Sequence, residues 1–123
     1  MDQFKIETAL GMQDGIRIIR LSGPFTLPET FDFQTVFRGS EAPVTLIDLT
    51  GVSYLDSAAL GALLSVHVSS EKHRRRYALV GAQERLRDLF RSAEVESLLV
   101  MYRTIEEAQT ELADPATAKK HAS

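Results

Sequence analysis

An α/β fold built on a mixed, mainly parallel sheet is the class this chain predicts, and three observations carry the prediction. Past an initial hairpin, strand-like and helix-like stretches alternate in the order ββαβαβαβα, which implies right-handed crossovers between parallel strands. Val44-Thr45-Leu46-Ile47-Asp48-Leu49 is almost continuously apolar, as strands covered on both faces tend to be. Several stretches have helical periodicity and can supply that cover. About four to five strands covered by about four helices are expected.

The elements follow in order. Phe4 to Leu10 sets Phe4, Ile6 and Thr8 in alternation with polar residues, the pattern of a half-buried strand. Gln13-Asp14-Gly15 signals a turn, and Ile16-Arg17-Ile18-Ile19-Arg20-Leu21 returns as the second strand, ended by Ser22-Gly23-Pro24. Thr26-Leu27-Pro28-Glu29 reads as a capping box, with Pro28 tolerated in a first turn whose N–H groups have no intrahelical partner. The helix it opens runs to about Arg38, with Phe31, Val36 and Phe37 expected on its inner face. After the breaker Gly39-Ser40-Glu41-Ala42-Pro43 come the strand Val44–Leu49 and a short loop, Thr50 to Leu55. The next helix is expected from about Ser57 to Lys72, with Leu60, Leu63, Leu64 and His67 as its stripe. Tyr77 to Val80, closed by Gly81, is a fourth strand. Gln83 to Ser92 is an amphipathic helix with Leu86, Leu89, Phe90 and Ala93 in phase. Leu98 to Tyr102 reads as a last short strand, and the second capping box Thr104-Ile105-Glu106-Glu107 opens a helix to about Leu112.

A chain of 123 residues suits one core, placed here at residues 1–113, with the small polar residues 114–123 expected to be a mobile tail. The net charge of −3 argues against direct nucleic-acid binding, which needs a basic field. The absence of cysteine excludes disulfides, thiolate chemistry and Cys-ligated zinc, and neither a metal nor a cofactor is expected. No apolar run approaches the roughly 20 residues that span a bilayer, and the start Met1-Asp2-Gln3-Phe4-Lys5 has no signal character. A cytoplasmic protein is the expectation.

Asp56-Ser57 stands where the central strand hands over to a helix N-terminus. Such an end carries about half a positive charge and unpaired N–H groups. Two readings are open: Asp56 and Ser57 as ordinary caps, or Ser57 as a phosphate acceptor, since a phosphate is well received there. Asp48 is expected to bond loop N–H groups near Gly51. Ser57, Asp56 and His67 do not make a hydrolase: ten residues of helix separate Ser57 from His67 by about 15 Å, a base must lie within about 3 Å of its proton, and no Gly-x-Ser-x-Gly elbow is present. His67 is read as a partly buried packing residue. His73-Arg74-Arg75-Arg76 is read first as a solvated helix end. Pro24, Phe25 and Leu27 either pack as core or rim a partner site.

Together, several segments resemble a STAS domain of the anti-sigma factor antagonist type. Leu21-Ser22-Gly23 resembles that family's Leu-x-Gly. Ile47-Asp48-Leu49 followed by Val52-x-Tyr54-Leu55-Asp56-Ser57 resembles its hydrophobic strand and Asp-Ser signature, and Leu60-Gly61 its following Leu-Gly. Leu86 to Val95 and Thr104-x-x-Glu107-Ala108 resemble its last two helices. The resemblance implies a binding protein, not an enzyme. Unphosphorylated, such a protein captures an anti-sigma factor that is also a serine kinase, and the sigma factor is freed. The kinase, which handles the ATP and magnesium, phosphorylates the serine after the Asp and breaks the complex, and a phosphatase resets it. On the matching positions the acceptor is Ser57, and the partner surface comprises Asp56, Ser57, Ala58, Ala59 and Gly61 with Pro24, Phe25 and Thr26. Where the family usually has a second small residue, often Ser, and then Gly, this chain has Ala58 and Ala59, so Ser57 is the sole acceptor in the signature. Thr26 stands where the family often has an acidic residue. The resemblance also admits a second role, as a STAS subunit of a lipid-transport complex or a stress-sensing assembly in which Ser57 is not phosphorylated.

Overall fold

The protein is described from a computed structural model, which covers residues 3–113; the expected tail at 114–123 lies outside the described residues. The order is β1 (Lys5–Leu10), β2 (Ile16–Phe25), α1 (Leu27–Arg38), β3 (Val44–Leu55), α2 (Ser57–Lys72), β4 (Arg76–Val80), α3 (Glu84–Ser92), β5 (Met101–Tyr102) and α4 (Ile105–Ala113). The five strands form one sheet in the order β1-β2-β3-β4-β5. The β1–β2 hairpin is antiparallel and every other pair is parallel.

Alternation along the strands divides the core in two. Ile19, Leu21, Ile47, Leu49 and Leu79 point to one face, where they meet Phe33 of α1, Leu63 of α2, and Leu86 and Phe90 of α3. Ile16, Ile18, Val44, Leu46, Ala78 and Val80 point to the other face and meet Ala108 and Leu112 of α4. Strands clad on both faces must be apolar at successive positions, which accounts for the continuous run in β3. Among the described residues no helix is long and apolar enough to cross a membrane.

The strands β2 and β3 run further than their sequences suggest. Neither Ser22-Gly23-Pro24 ends β2 nor Thr50 to Leu55 forms a loop. The two segments lie side by side and continue the ladder, with Ser22 opposite Gly51, Gly23 opposite Val52, Pro24 opposite Tyr54 and Phe25 opposite Leu55. Irregularities between Arg20 and Ser22 and between Gly23 and Pro24 absorb the proline, which has no N–H to give the ladder. Gly23 has φ +83°, and a Cβ there would lie 2.5 Å from the Gln3 carbonyl oxygen, so only glycine fits. Burial of Phe25, Val52 and Leu55 holds the extension down. At the far edge, β5 is shorter than expected, because the N–H groups of Leu98 and Leu99 both turn back to the Val95 carbonyl.

The inner face of α1 also differs from expectation. Phe31 is 66% exposed, whereas Phe33 is fully buried. Phe33 lies edge-on to Phe25, with ring centroids 5.4 Å apart, and stacks with Phe37 at 6.4 Å. Thr30, Phe33 and Phe37 recur at spacings of three and four and share one face. Phe31 sits about 200° around the helix from Phe33.

Candidate functional site

Because β2 and β3 are parallel neighbours, the helices that follow them, α1 and α2, begin at the same end of the sheet. Their starts are joined by one side chain. Asp56, the N-cap of α2, accepts the Ala59 N–H on Oδ1 at 2.9 Å. Its Oδ2 accepts the Leu27 N–H, the first of α1, at 3.0 Å. The Asp56 N–H in turn donates to the Phe25 carbonyl at 3.3 Å, and the Asp56 carbonyl accepts the Leu60 N–H at 3.0 Å. A single carboxylate therefore serves two helix N-termini, whose positive ends favour its charge. Beside it, Glu29 Oε1 accepts from both the N–H and the hydroxyl of Thr26, at 3.0 and 2.5 Å, closing the start of α1.

Ser57 is the first residue of α2 and is exposed. Ala58 is half-buried and Gly61, one turn along, is exposed; a Cβ built on Gly61 would meet nothing within 4 Å. Thr26 and Pro24 are half-buried at the neighbouring strand and helix ends. Two expected surface residues are not on the surface. Phe25 and Ala59 are both fully buried in the core: Phe25 stacks on Phe4 at 5.2 Å and meets Phe33, and the Ala59 methyl points inward. Their side chains support the site from beneath its surface. The exposed apolar groups around Ser57 are instead Tyr54, 53% exposed, and Leu27, 55% exposed, with Phe31 a turn beyond Leu27. Leu27 was detectable in sequence as part of the apolar stretch Pro24, Phe25 and Leu27 at the start of α1, and Tyr54 as the large residue inside the signature.

The other candidates have structural partners. Asp48 Oδ1 accepts from the Thr50 N–H at 2.9 Å and its hydroxyl at 2.6 Å, and Arg20 lies 3.7 Å from Oδ2. It holds the middle of β3 through the Thr50 N–H, next to Gly51, as expected. His67 places Nδ1 2.9 Å from the Tyr77 hydroxyl and Nε2 3.2 Å from Glu71. The Tyr77 oxygen also accepts the Val100 N–H at 3.1 Å, so one phenol ties the His67 ring to the backbone of Val100. Both ring nitrogens are thus engaged away from Ser57. Within the basic cluster, Arg76 donates to the Leu112 carbonyl and ties α4 down, while His73 and Arg74 are exposed.

Burial pushes the Tyr77 phenol up to about 12; Glu71 adds to the shift and the Val100 hydrogen bond opposes it. The folded protein holds this proton more tightly than the unfolded chain, where a tyrosine ionises near 10. The resulting stabilisation is complete below about pH 10 and is lost as pH rises through about 12. Tyr77→Phe is therefore expected to be less stable at neutral pH, with the Val100 N–H left unpaired, yet to show a shallower alkaline decline than wild type. Urea unfolding at neutral pH and near pH 11 checks this; parallel declines in the two proteins would contradict it.

Comparison with known proteins agrees with this architecture. The family model for the STAS domain matches residues 8–108. The anti-sigma-B factor antagonist of Listeria monocytogenes is 35% identical over 66 residues, which are 54% of this chain and 58% of that protein, so the match spans little more than half the length of the relative. The crystal structure of an anti-sigma factor antagonist from Mycobacterium paratuberculosis superposes with a TM-score of 0.73 at 22% identity, covering 89% of this chain and 96% of that one. The anti-sigma factor antagonist SpoIIAA in its unphosphorylated form gives a TM-score of 0.63 at 18% identity, covering 90% of this chain and 97% of its own. At those identities the two structures establish a shared fold.

Proposed function

The chain belongs to the STAS domain family, and from that premise we propose that it is an anti-sigma factor antagonist switched by phosphorylation of Ser57. In this reading the unphosphorylated protein binds an anti-sigma factor with serine kinase activity through Ser57, Ala58 and Gly61 of α2, with Thr26, Pro24, Leu27 and Tyr54 around them, and so frees the sigma factor. The kinase transfers the γ-phosphoryl group of ATP to the Ser57 hydroxyl, and a phosphatase removes it.

The observation that carries the reading is the placement of Ser57: exposed, first in α2, and adjacent to a cap whose two carboxylate oxygens are already occupied by backbone N–H groups. Phosphorylation adds about −1.5 to −2 charges at that point. Because Asp56 keeps both helices capped, the phosphate changes the surface without unwinding either one. It sets two negative groups side by side beneath the partner, and burying an unpaired phosphate in an interface is costly. Even about 1.4 kcal/mol of that cost lowers affinity tenfold.

The test uses a candidate anti-sigma kinase, ATP and the full chain. Mass spectrometry is expected to place a single phosphate on Ser57. Ser57→Asp is expected to bind the anti-sigma factor at least about tenfold more weakly than wild type, and Ser57→Ala to bind as wild type and accept no phosphate. A phosphate at another residue, or an Asp variant that binds undiminished, overturns the switch. Failure of every such kinase to bind or phosphorylate the chain would favour a STAS subunit of a transport or stress-sensing assembly.

A further inference from the structure

β1 is the outermost strand on the hairpin side, and among the described residues nothing pairs with its outer edge. It contains no proline, and its register with β2 runs unbroken from Lys5 opposite Ser22 to Leu10 opposite Arg17, so proline and bulges, two devices that blunt an exposed edge, are missing. The direction of its backbone groups follows from the hairpin. The Gly11 N–H donates to the Ile16 carbonyl at 2.8 Å. Hydrogen-bonded pairs of an antiparallel ladder recur at every second residue, so they fall at Ala9 and Ile18, Glu7 and Arg20, and Lys5 and Ser22. Ile6, Thr8 and Leu10 consequently aim their N–H and C=O groups outward. Alongside this edge a cleft of about 440 Å³ lies between β1 and α1, lined by Phe4, Ile6, Thr8, Asp32, Thr35 and Val36. An added strand would hang alternate side chains over it.

We infer that this edge docks a second copy of itself, β1 against β1, antiparallel about a two-fold axis through Ile6, joining two five-stranded sheets into one. The register comes from charge. Outward-pointing residues must face outward-pointing residues, which places the axis on a residue; an axis at Lys5 sets that ammonium against its own copy, and one at Ala9 or Leu10 leaves Lys5 outside the pairing. An axis at Glu7 sets that carboxylate against its own copy, which is unfavourable. An axis at Thr8 pairs Glu7 with Ala9 and Lys5 with Gly11, so neither charge meets an opposite one. An axis at Ile6 sets Lys5 opposite Glu7 twice, and Phe4 opposite Thr8 twice on the cleft side. Neither Lys5 nor Glu7 has an ion-pair partner among the described residues, so both are available across the axis. This dimer does not depend on the role proposed for Ser57.

Light scattering on the full chain, from micromolar to millimolar concentration, reads the association. Wild type is expected to dimerise as concentration rises. Lys5→Glu and Glu7→Lys, each turning two attractive pairs into repulsive ones, are expected to weaken association roughly tenfold, and the Lys5→Glu/Glu7→Lys double variant to restore it. Ile6→Pro deletes an outward N–H while sparing the β1–β2 ladder, and is expected to be monomeric with unchanged circular dichroism. A wild type monomeric throughout overturns the proposal, as does association that ignores the single charge reversals or is not recovered in the double variant. Association that persists in a folded Ile6→Pro variant, or capture of an extended peptide by β1 in place of a second copy, also overturns it.

Discussion

Phe33→Ala is expected to destabilise the protein by about 3–5 kcal/mol, against less than about 0.5 kcal/mol for Phe31→Ala two residues earlier. The residue type is the same and the helix is the same; burial differs. Phe33 is fully buried and links two rings, Phe25 below it and Phe37 beside it, so removing it discards apolar contact and leaves a cavity between α1 and β2. Phe31 projects into solvent and its loss opens no void. Equilibrium urea unfolding, followed by circular dichroism with an unchanged slope on denaturant, measures both. Comparable losses for the two variants would mean that α1 is rotated from the phase described. Phe31 then becomes useful for the second readout: if the surface around Leu27 is the partner site, Phe31→Ala lowers partner affinity with stability intact.

Asp56→Ala is expected to cost about 2 kcal/mol, because one carboxylate caps α2 at Ala59 and α1 at Leu27, and each cap is worth about 1 kcal/mol. Asp56→Asn divides the two contributions. An asparagine has a single acceptor oxygen, so it can retain one cap while its amide group faces the other N–H, and a loss near half that of the alanine variant is expected. Amide hydrogen exchange supplies the positional check. Protection at both Leu27 and Ala59 falls in Asp56→Ala, and at only one of them in Asp56→Asn. Exchange that rises at Ala59 alone in the alanine variant would remove the link between the helices. The same carboxylate then bears on the switch: with Asp56 gone, a phosphate on Ser57 would compete for the vacated N–H groups, and its effect on partner binding should shrink.

Much of the architecture could be read from residue order. The Ser57–Lys72 helix begins and ends where Asp56 and the basic run His73 to Arg76 place it, since capping and helical period are local properties. The strand β3 was legible only to Leu49. Thr50-Gly51-Val52-Ser53 has the composition of a loop, and becomes strand because the second half of β2 runs beside it. Phe25 was legible as either core or rim, and Ala59 as a member of the signature but not as a buried residue, because burial depends on which elements pack above them.

Residue order sufficed for the α/β class, the order of the elements, the helix starts and the position of Ser57 behind a capping aspartate, because each depends on periodicity and on interactions between residues a few positions apart. Packing settled the rest: that Asp56 also caps α1 across 29 residues of chain, that Phe33 and not Phe31 enters the core, and that Leu27 and Tyr54 stand exposed at the same end of the sheet as the serine. Those outcomes depend on parallel strands bringing distant segments to the same end of the sheet, and no local pattern encodes that proximity.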